Sequence, residues 1–392
     1  MVSASSSTGA STPIRLGPIK LGMVGGGQGA FIGAVHRIAA RIDGHYDLVA
    51  GALSSDPERA KASAAELGLE RPYGSFEEMA KAEAARADGI EAVSIVTPNH
   101  MHFPVARAFL KAGIHVICDK PLTATLADAK KLVKLVEDSD RLFVLTHNYT
   151  GYPMVRQARD MVAKGVLGDI RLVHAEYPQD WLTEKVEDSG AKQAVWRTDP
   201  KQAGAGAIGD IGTHAYNLAC FVSGLEPDSL SADLDSFVAG RQVDDNAHIM
   251  LRFKSGAKGM LWASQVAPGN ENALRLRVYG TKGGLEWSQE DPNYLWFTPF
   301  GEPKRLITRG GAGSGEAAAR VTRTPPGHPE GYLEGFANIY SEAAAAIRAM
   351  RRKGGKLPKG ILFPTVQDGL AGLRFIDACQ KSSKKNAAWT KL

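Results

Sequence analysis

Two groups of residues in this chain have types and spacings that could do chemistry. The first is Gly25-Gly26-Gly27-Gln28-Gly29-Ala30, which fits G-x-G-x-x-G/A with Ala30 in the last place. Glycines so spaced let bare backbone N–H groups at a helix N-terminus approach a pyrophosphate, whose charge the helix dipole favours. A side chain at Gly25 or Gly27 would block that approach. The second group is Asp210 and His214, four residues apart and so on one face of a helix. Ahead of them stand Gln179-Asp180-Trp181 and Trp196-Arg197. Polar groups and tryptophans beside an Asp/His pair suit a carbohydrate, whose ring can stack on an aromatic. The spacing alone fits equally well an Asp210 that caps its helix and a His214 satisfied within the fold.

The glycines need a strand before them and a helix after them. Residues 19–24 form a short apolar run that ends in glycine, as a buried parallel strand does. Residues 31–42 read as a helix with Phe31, Val35, Ile38, Ala39 and Ile42 on its inner face. Alternation continues with strands at 48–53, 92–96, 115–118 and 142–146, and helices at 56–67, 103–112 and 126–137. A βαβαβ series of this kind makes a doubly wound parallel sheet, with ligands at the C-terminal ends of its strands. Thr97-Pro98-Asn99 and Asp119-Lys120-Pro121 stand at two of those ends. A lone lysine after a strand is usually solvated, but Lys120 at this edge is well placed to meet a ligand.

The end of the second strand selects between nicotinamide cofactors, because an acidic residue there holds the ribose hydroxyls of NAD. Ser54 and Ser55 occupy the place. Asp47 precedes the strand and sits at the wrong end, and Asp56 suits a helix cap. Two serines, with Arg59 one turn on, could admit a 2′-phosphate, so NAD and NADP both stand as expected cofactors.

After about residue 147 the pattern changes. Residues 170–177 read as a strand, 246–253 and 257–267 as a hairpin, 274–279 as a cleanly alternating strand, and 285–287 as its continuation after a turn at 281–284. The expected fold is therefore α/β: an N-terminal Rossmann domain over 17–147, after a disordered tail over 1–16, then an α+β domain over 148–392. That second domain carries a large open, mainly antiparallel sheet with helices on one face. Its other face needs cover, so a homodimer or homotetramer through sheet faces is expected. The loops around 149–156, 178–206 and 310–330 are expected to decide substrate choice. His328, in the stiff Pro325-Pro326-Gly327-His328-Pro329 loop, could reach the active cleft but reads better as a loop anchor.

Composition removes other classes. Lys and Arg interleave with Asp and Glu, and a net charge of +5 spread in this way makes no nucleic-acid footprint. No apolar run approaches the roughly 18–20 residues that span a bilayer, and residues 1–13 lack the plan of a secretory signal. The three cysteines, Cys118, Cys220 and Cys379, fit neither a zinc site nor a disulfide framework, which points to reduced thiols in the cytoplasm and to no metal.

Taken together, Gly25-Gly26-Gly27, Thr97-Pro98-Asn99-His100-Met101-His102, Asp119-Lys120-Pro121 and Gly209-Asp210-Ile211-Gly212-Thr213-His214 make the chain resemble the Gfo/Idh/MocA family of sugar and inositol oxidoreductases. The stretch Tyr177-Pro178-Gln179-Asp180-Trp181, with Trp196-Arg197 and Gly206-Ala207-Ile208, is similar to levoglucosan dehydrogenase and related glycoside dehydrogenases within it. The family usually has Glu-Lys-Pro where this chain has Asp119-Lys120-Pro121. Ser54 and Ser55 also depart from its common acidic pattern. The resemblance implies that Lys120 hydrogen-bonds the reacting hydroxyl, that His214 takes its proton, and that Asp210 orients His214 and binds a neighbouring hydroxyl. It implies a cofactor site of Gly25, Gly27, Gln28, Gly29, Ala30, Ser54, Ser55, Thr97, Pro98, Asn99, His102, Asp119, Lys120 and Asn148. The implied substrate site adds Tyr149, Gln179, Asp180, Trp181, Trp196 and Arg197 to the Lys120, Asp210 and His214 set. The chemistry agrees, since alcohol oxidation needs a base near neutrality, a cation for the developing alkoxide and a hydride carrier. A redox-neutral, NAD-dependent glycoside hydrolase and a non-catalytic sugar or dinucleotide sensor are the alternatives on the same fold.

Overall fold

The computed structural model describes residues 17–190, 192–351 and 356–392. The tail expected over 1–16 lies outside the described residues. The first half alternates as β1 (Ile19–Gly25), α1 (Phe31–Ile42), β2 (Tyr46–Ala52), α2 (Pro57–Glu66), β3 (Arg71–Pro72), α3 (Phe76–Ala84), β4 (Ala92–Val96), α4 (His102–Lys111), β5 (His115–Cys118), α5 (Leu126–Glu137) and β6 (Phe143–Leu145). All six strands run parallel in the order β3-β2-β1-β4-β5-β6. That is the doubly wound dinucleotide-binding order, with its crevice where β1 and β4 diverge. β4 and β5 are buried at every position, which is why each reads as an unbroken apolar run.

The second half continues with α6 (Pro153–Ala163), β7 (Ile170–Pro178), α7 (Lys192–Arg197), α8 (Pro200–Ala203), α9 (Thr213–Ser223), β8 (Pro227–Asp235), β9 (Asn246–Phe253) and β10 (Lys258–Ser264). After these come β11 (Arg275–Gly280), β12 (Gly283–Ser288), β13 (Tyr294–Pro299), β14 (Arg305–Thr308), α10 (Glu316–Ala319), α11 (Tyr332–Met350), α12 (Val366–Ser383) and β15 (Thr390–Lys391). The strands form one sheet ordered β14-β13-β12-β11-β7-β10-β9-β8-β15. It is mainly antiparallel, as expected, but β7 and β10 pair in parallel, which makes it mixed. The turn expected over 281–284 gives up Gly283 and Gly284 to β12.

Alternation orients this sheet. Ala247, Ile249, Leu251 and Phe253 of β9 point into the core, while Met250 and Arg252 point out. Helices α6, α9 and α12 pack on the inner face.

The inner face of α1 differs from the reading of its sequence. Val35 and Ala39 are buried, but Phe31 is 65% exposed and Ile38 and Ile42 are partly exposed. The reason is α11, which comes from the far end of the chain and lies against α1. Its Phe336, Ile339, Tyr340, Ala343 and Ile347 pack on Ile19, Leu21, Ile117 and Val144 of the parallel sheet. The helix rotates toward that partner, so His36 and Ala40 are buried instead.

Within the second half, a buried ion pair ties α6 to α11. Arg156 of α6 donates through Nη1 and Nη2 to the two oxygens of Glu342 of α11, at 3.0 and 3.2 Å. Arg156 is 1% exposed and Glu342 4%. A buried charge that loses its partner is costly, more so than the pair is worth against an apolar replacement. Arg156→Met is therefore expected to destabilise the fold by about 3 kcal/mol, read as a lowered urea midpoint. The double variant Arg156→Met/Glu342→Met is expected to lose less than the sum of the two single changes.

Candidate active site

Two cavities open at the C-terminal edge of the parallel sheet. One, of about 660 Å³, runs along the glycine turn and the ends of β2 and β4. The other, of about 500 Å³, lies between that edge and the second sheet. They share Ile32, Asp119, Lys120, Gln193, Arg197 and Asp210 as common wall.

The glycine turn is shaped to carry a dinucleotide. Gly26 has φ +74°, and a Cβ there would meet Val96 at 2.8 Å and the Gly33 backbone at 2.9 Å. A Cβ on Gly27 would meet Leu53 O and Ser63 Oγ at 2.7 Å, so this glycine lets α1 sit close to β2 and α2. Ala30 precedes α1 without any capping side chain, so the first N–H groups of the helix are left for an anion. This cradle fits a pyrophosphate. Gly25, Gly27, Gln28 and Ala30 line the cavity, whereas Gly29 faces a separate small hollow.

Ser54, Ser55 and Arg59 line the same cavity at the end of β2. Asp56 is spent on the helix, where Oδ1 accepts the Arg59 N–H at 2.8 Å and caps α2. Asp47 pairs in register with Lys20, at the opposite end of the sheet. Thr97, Pro98 and Asn99 also line the cavity, but Asn99 Nδ2 is bound to Ala203 O at 2.9 Å. His102 does not reach it. Its ring is fully buried and bridges Pro121 O at 2.7 Å and Thr97 O at 2.9 Å, bracing both loops.

Lys120 leaves β5 two residues past its end and joins Pro121 through a cis peptide bond. Its Nζ donates to Asp210 Oδ1 at 2.9 Å and to the Asp210 carbonyl at 2.5 Å. Asp210 sits within a π-helical turn, Ile208–Gly212, that runs into α9, and does not cap the helix as one reading of its spacing allowed. Such turns recur at functional sites because they push a side chain out of the regular spiral. Asp210 Oδ2 accepts Gln265 Nε2 at 2.9 Å and lies 3.3 Å from Arg197 Nε. Burial raises the Asp210 carboxyl, but Lys120 and Arg197 outweigh it and hold the group well below the usual carboxylate range.

His214, at 7% exposure, lines the smaller cavity. Burial first, then the Lys120 ammonium, push its imidazole well below the ordinary value, so it is a neutral ring at pH 7. The orienting bond that the resemblance implied from Asp210 is not made among the described residues, and His214 Nδ1 is buried without a partner. Both Asp210 oxygens are taken by other groups.

Around these lies a row of hydrogen bonds. Tyr149 and Tyr177 share one at 2.5 Å, and Asn272 Oδ1 accepts Tyr177 OH and Gln179 Nε2, each at 2.7 Å. Trp181 Nε1 donates to Gln179 Oε1 at 3.1 Å. Asn148 lines this cavity with a buried, unpartnered Nδ2. Trp196 lines the dinucleotide cavity, with the Arg197 guanidinium 4.3 Å over its ring. Asp180 lines neither cavity and accepts the Gly269 N–H. No residue of the 310–330 loop lines either cavity, and His328 is exposed, its carbonyl held by Arg309. Gln265, Asn272, Gln289, Gln193 and Tyr332 were not singled out from the sequence, and Phe31 was read as a core residue of α1, yet Gln265 binds Asp210 and the rest line the cavity. Only the polar Asn270-Glu271-Asn272 run before β11 gave any signal. Among the described residues, no cluster of three or more His, Cys, Asp or Glu could hold a metal.

A parallel sheet in this strand order, a glycine cradle and a Lys/Asp/His cluster at its edge define an oxidoreductase with an NAD-binding Rossmann domain. Residues 19–149 match the oxidoreductase family with an NAD-binding Rossmann fold, and residues 155–286 match the GFO/IDH/MocA C-terminal domain. The chain belongs to the Gfo/Idh/MocA family. It is 64% identical to an oxidoreductase from Sinorhizobium meliloti, a crystal structure that matches at a TM-score of 0.87 over 96% of this chain and all of that one. An inositol dehydrogenase homolog from Azotobacter vinelandii, in complex with NADH and myo-inositol, is 36% identical with a TM-score of 0.90, covering 96% of this chain and 98% of the other. Levoglucosan dehydrogenase of Pseudarthrobacter phenanthrenivorans is 28% identical over 69% of this chain and 74% of that enzyme.

At the end of β2 the cavity is lined by Ser54 and Ser55 rather than by a carboxylate, with Glu77 of α3 on the same cavity. Ser54→Asp is expected to weaken NADPH binding about tenfold or more while sparing NADH, because the new carboxylate suits ribose hydroxyls and repels phosphate. Titrations of protein fluorescence with each cofactor measure both arms.

Proposed function

We propose that this chain is an NAD(P)-dependent dehydrogenase that transfers a hydride between the nicotinamide and a hydroxyl-bearing carbon of a sugar, anhydrosugar, glycoside or inositol. The observation that supports it is the shared wall of the two cavities. Lys120 stands between a dinucleotide cradle and a cavity lined by polar groups and aromatic rings. When bound, the cofactor supplies the hydride acceptor at its C4. Lys120 donates to the reacting oxygen and favours the alkoxide-like charge that builds there. The neutral His214 takes the hydroxyl proton. Asp210 places Lys120, rather than His214, by holding its ammonium.

Charges in the smaller cavity balance, with Asp119 and Asp210 against Lys120 and Arg197. An uncharged polyol suits that balance better than a carboxylate or phosphate ester. The aromatic walls Tyr149, Trp181 and Tyr332 suit the apolar faces of a sugar ring. The named activities of the levoglucosan and inositol relatives support the same class.

The outer face of the second sheet exposes Leu172, Met250, Met260, Trp296 and Leu306. A face of this kind supports a homodimer or homotetramer built through it. The unpaired thiols of Cys118, Cys220 and Cys379 suit the cytoplasm. Among the described residues no helix is long and apolar enough to cross a membrane.

The test is a panel of inositols, free sugars, anhydrosugars and glycosides with NAD+ or NADP+, followed at the nicotinamide absorbance. Reduction with one class is expected. Lys120→Ala and His214→Ala are each expected to cut the rate by about 10²–10⁴-fold, His214→Ala while leaving cofactor binding intact. Unchanged rates in both variants would sink the residue assignment. Aglycone release without net reduction would replace the dehydrogenase by a redox-neutral glycosidase, and cofactor binding with no turnover would point to a sensor.

A further inference from the structure

The base assigned to His214 has a buried side that Asp210 does not serve. His147 covers it. This residue follows β6, is 2% exposed and lines neither cavity. Its backbone is fixed, because its carbonyl accepts both the N–H and the hydroxyl of Thr150. Its ring stands edge to face with His214, the centroids 5.3 Å apart and the planes at 85°. Each ring has a buried Nδ1 with no hydrogen-bond partner among the described residues. Tyr149 closes a further side of His214, with centroids 4.9 Å apart at 72°.

We propose that His147 is a positioning residue for His214, a neutral imidazole that fixes the plane of the base and stands where a carboxylate partner could otherwise stand. The proposal rests on the reading of His214 as the base. Its consequence is electrostatic. A carboxylate behind an imidazole stabilises the protonated ring and raises its pKa, whereas a neutral ring does not.

The surrounding charges agree. Lys120, Asp119, Asp368 of α12 and His214 face His147, and Lys120, His147, Asp210 and the phenols of Tyr149 and Tyr177 face His214. Burial, then Lys120, push His147 down to about 4, against the opposing pull of Asp368 and Asp119. The same two causes, and after them His147 itself, lower His214, with Asp210 opposing. As pH falls, both rings therefore stay neutral through the range in which a free histidine, near about 6.5, would gain its proton. The base is then lost only in more acid solution.

The experiment follows ¹⁵N-histidine NMR of the full chain with NADH bound, from pH 8 to pH 5, the His214 signals being identified by their loss in His214→Gln. The wild-type His214 ring is expected to gain its proton below the ordinary histidine range. His147→Asp puts a carboxylate behind it and is expected to raise its proton affinity at least tenfold. His147→Asn, uncharged and with an amide nitrogen near the place of Nδ1, is expected to leave it neutral. A wild-type His214 that titrates near its ordinary value, or a folded His147→Asp in which His214 does not move, would overturn the proposal. Should His147→Asp fail to fold, the wild-type and His147→Asn titrations decide it, and a His214 that gains a proton near neutrality in either overturns it. These readouts need no turnover, so they are separate from the substrate panel, whose failure would remove the dehydrogenase reading.

Discussion

Lys120 follows a strand of the parallel sheet and Asp210 lies in a turn carried by the second half, and the ion pair between them at 2.9 Å is where the two halves meet at the wall shared by the two cavities. Neither residue could hold its charge there alone, since a buried ion without a partner is strongly disfavoured. Gln265 at the end of β10 and Arg197 of α7 complete the carboxylate's coordination. Four segments distant in sequence are thus tied to one group. The position of the ammonium is set by this tie more than by the flexible lysine chain itself.

The same tie explains the state of His214. An ammonium close by and a dry interior both oppose a second positive charge, so the imidazole stays neutral while the carboxylate stays ionised. One carboxylate, one ammonium and one neutral base are held together by their mutual fields. That division of roles suits a reaction in which a proton and a hydride leave the same C–OH unit by different routes.

Much of this was legible in the sequence, for a physical reason. Strands buried on both faces must be apolar throughout, and the turns at their C-terminal ends need glycine or proline, so the parallel half announces its own elements. Lys120, Asp210 and His214 lay in segments that a family resemblance singles out, and the structure brings all three to the two cavities. Less legible was whatever depends on distant pairing. β8, rich in Asp, Ser and Pro, reads as loop and becomes a strand only because β9 lies beside it. The parallel pairing of β7 with β10 joins residues 86 positions apart, and no local periodicity encodes it. Gln265, Asn272 and His147 are ordinary side chains at strand ends, and their partners are visible only in three dimensions. The 310–330 loop was expected near the substrate because it is long and rich in glycine and proline, but Arg309 and Glu330 draw it away.

The placement of α11 bears on how the chain comes to be folded. The parallel sheet is encoded first, yet the apolar surface formed by Ile19, Leu21, Ile117 and Val144 is closed by a helix that begins at residue 332. During synthesis the nucleotide-binding half leaves the ribosome with that surface bare and must wait for most of the chain before it is covered. A fragment cut after β6 would carry the cradle and expose the same surface, so it would be prone to aggregate. The early half becomes a finished unit only when the late half arrives.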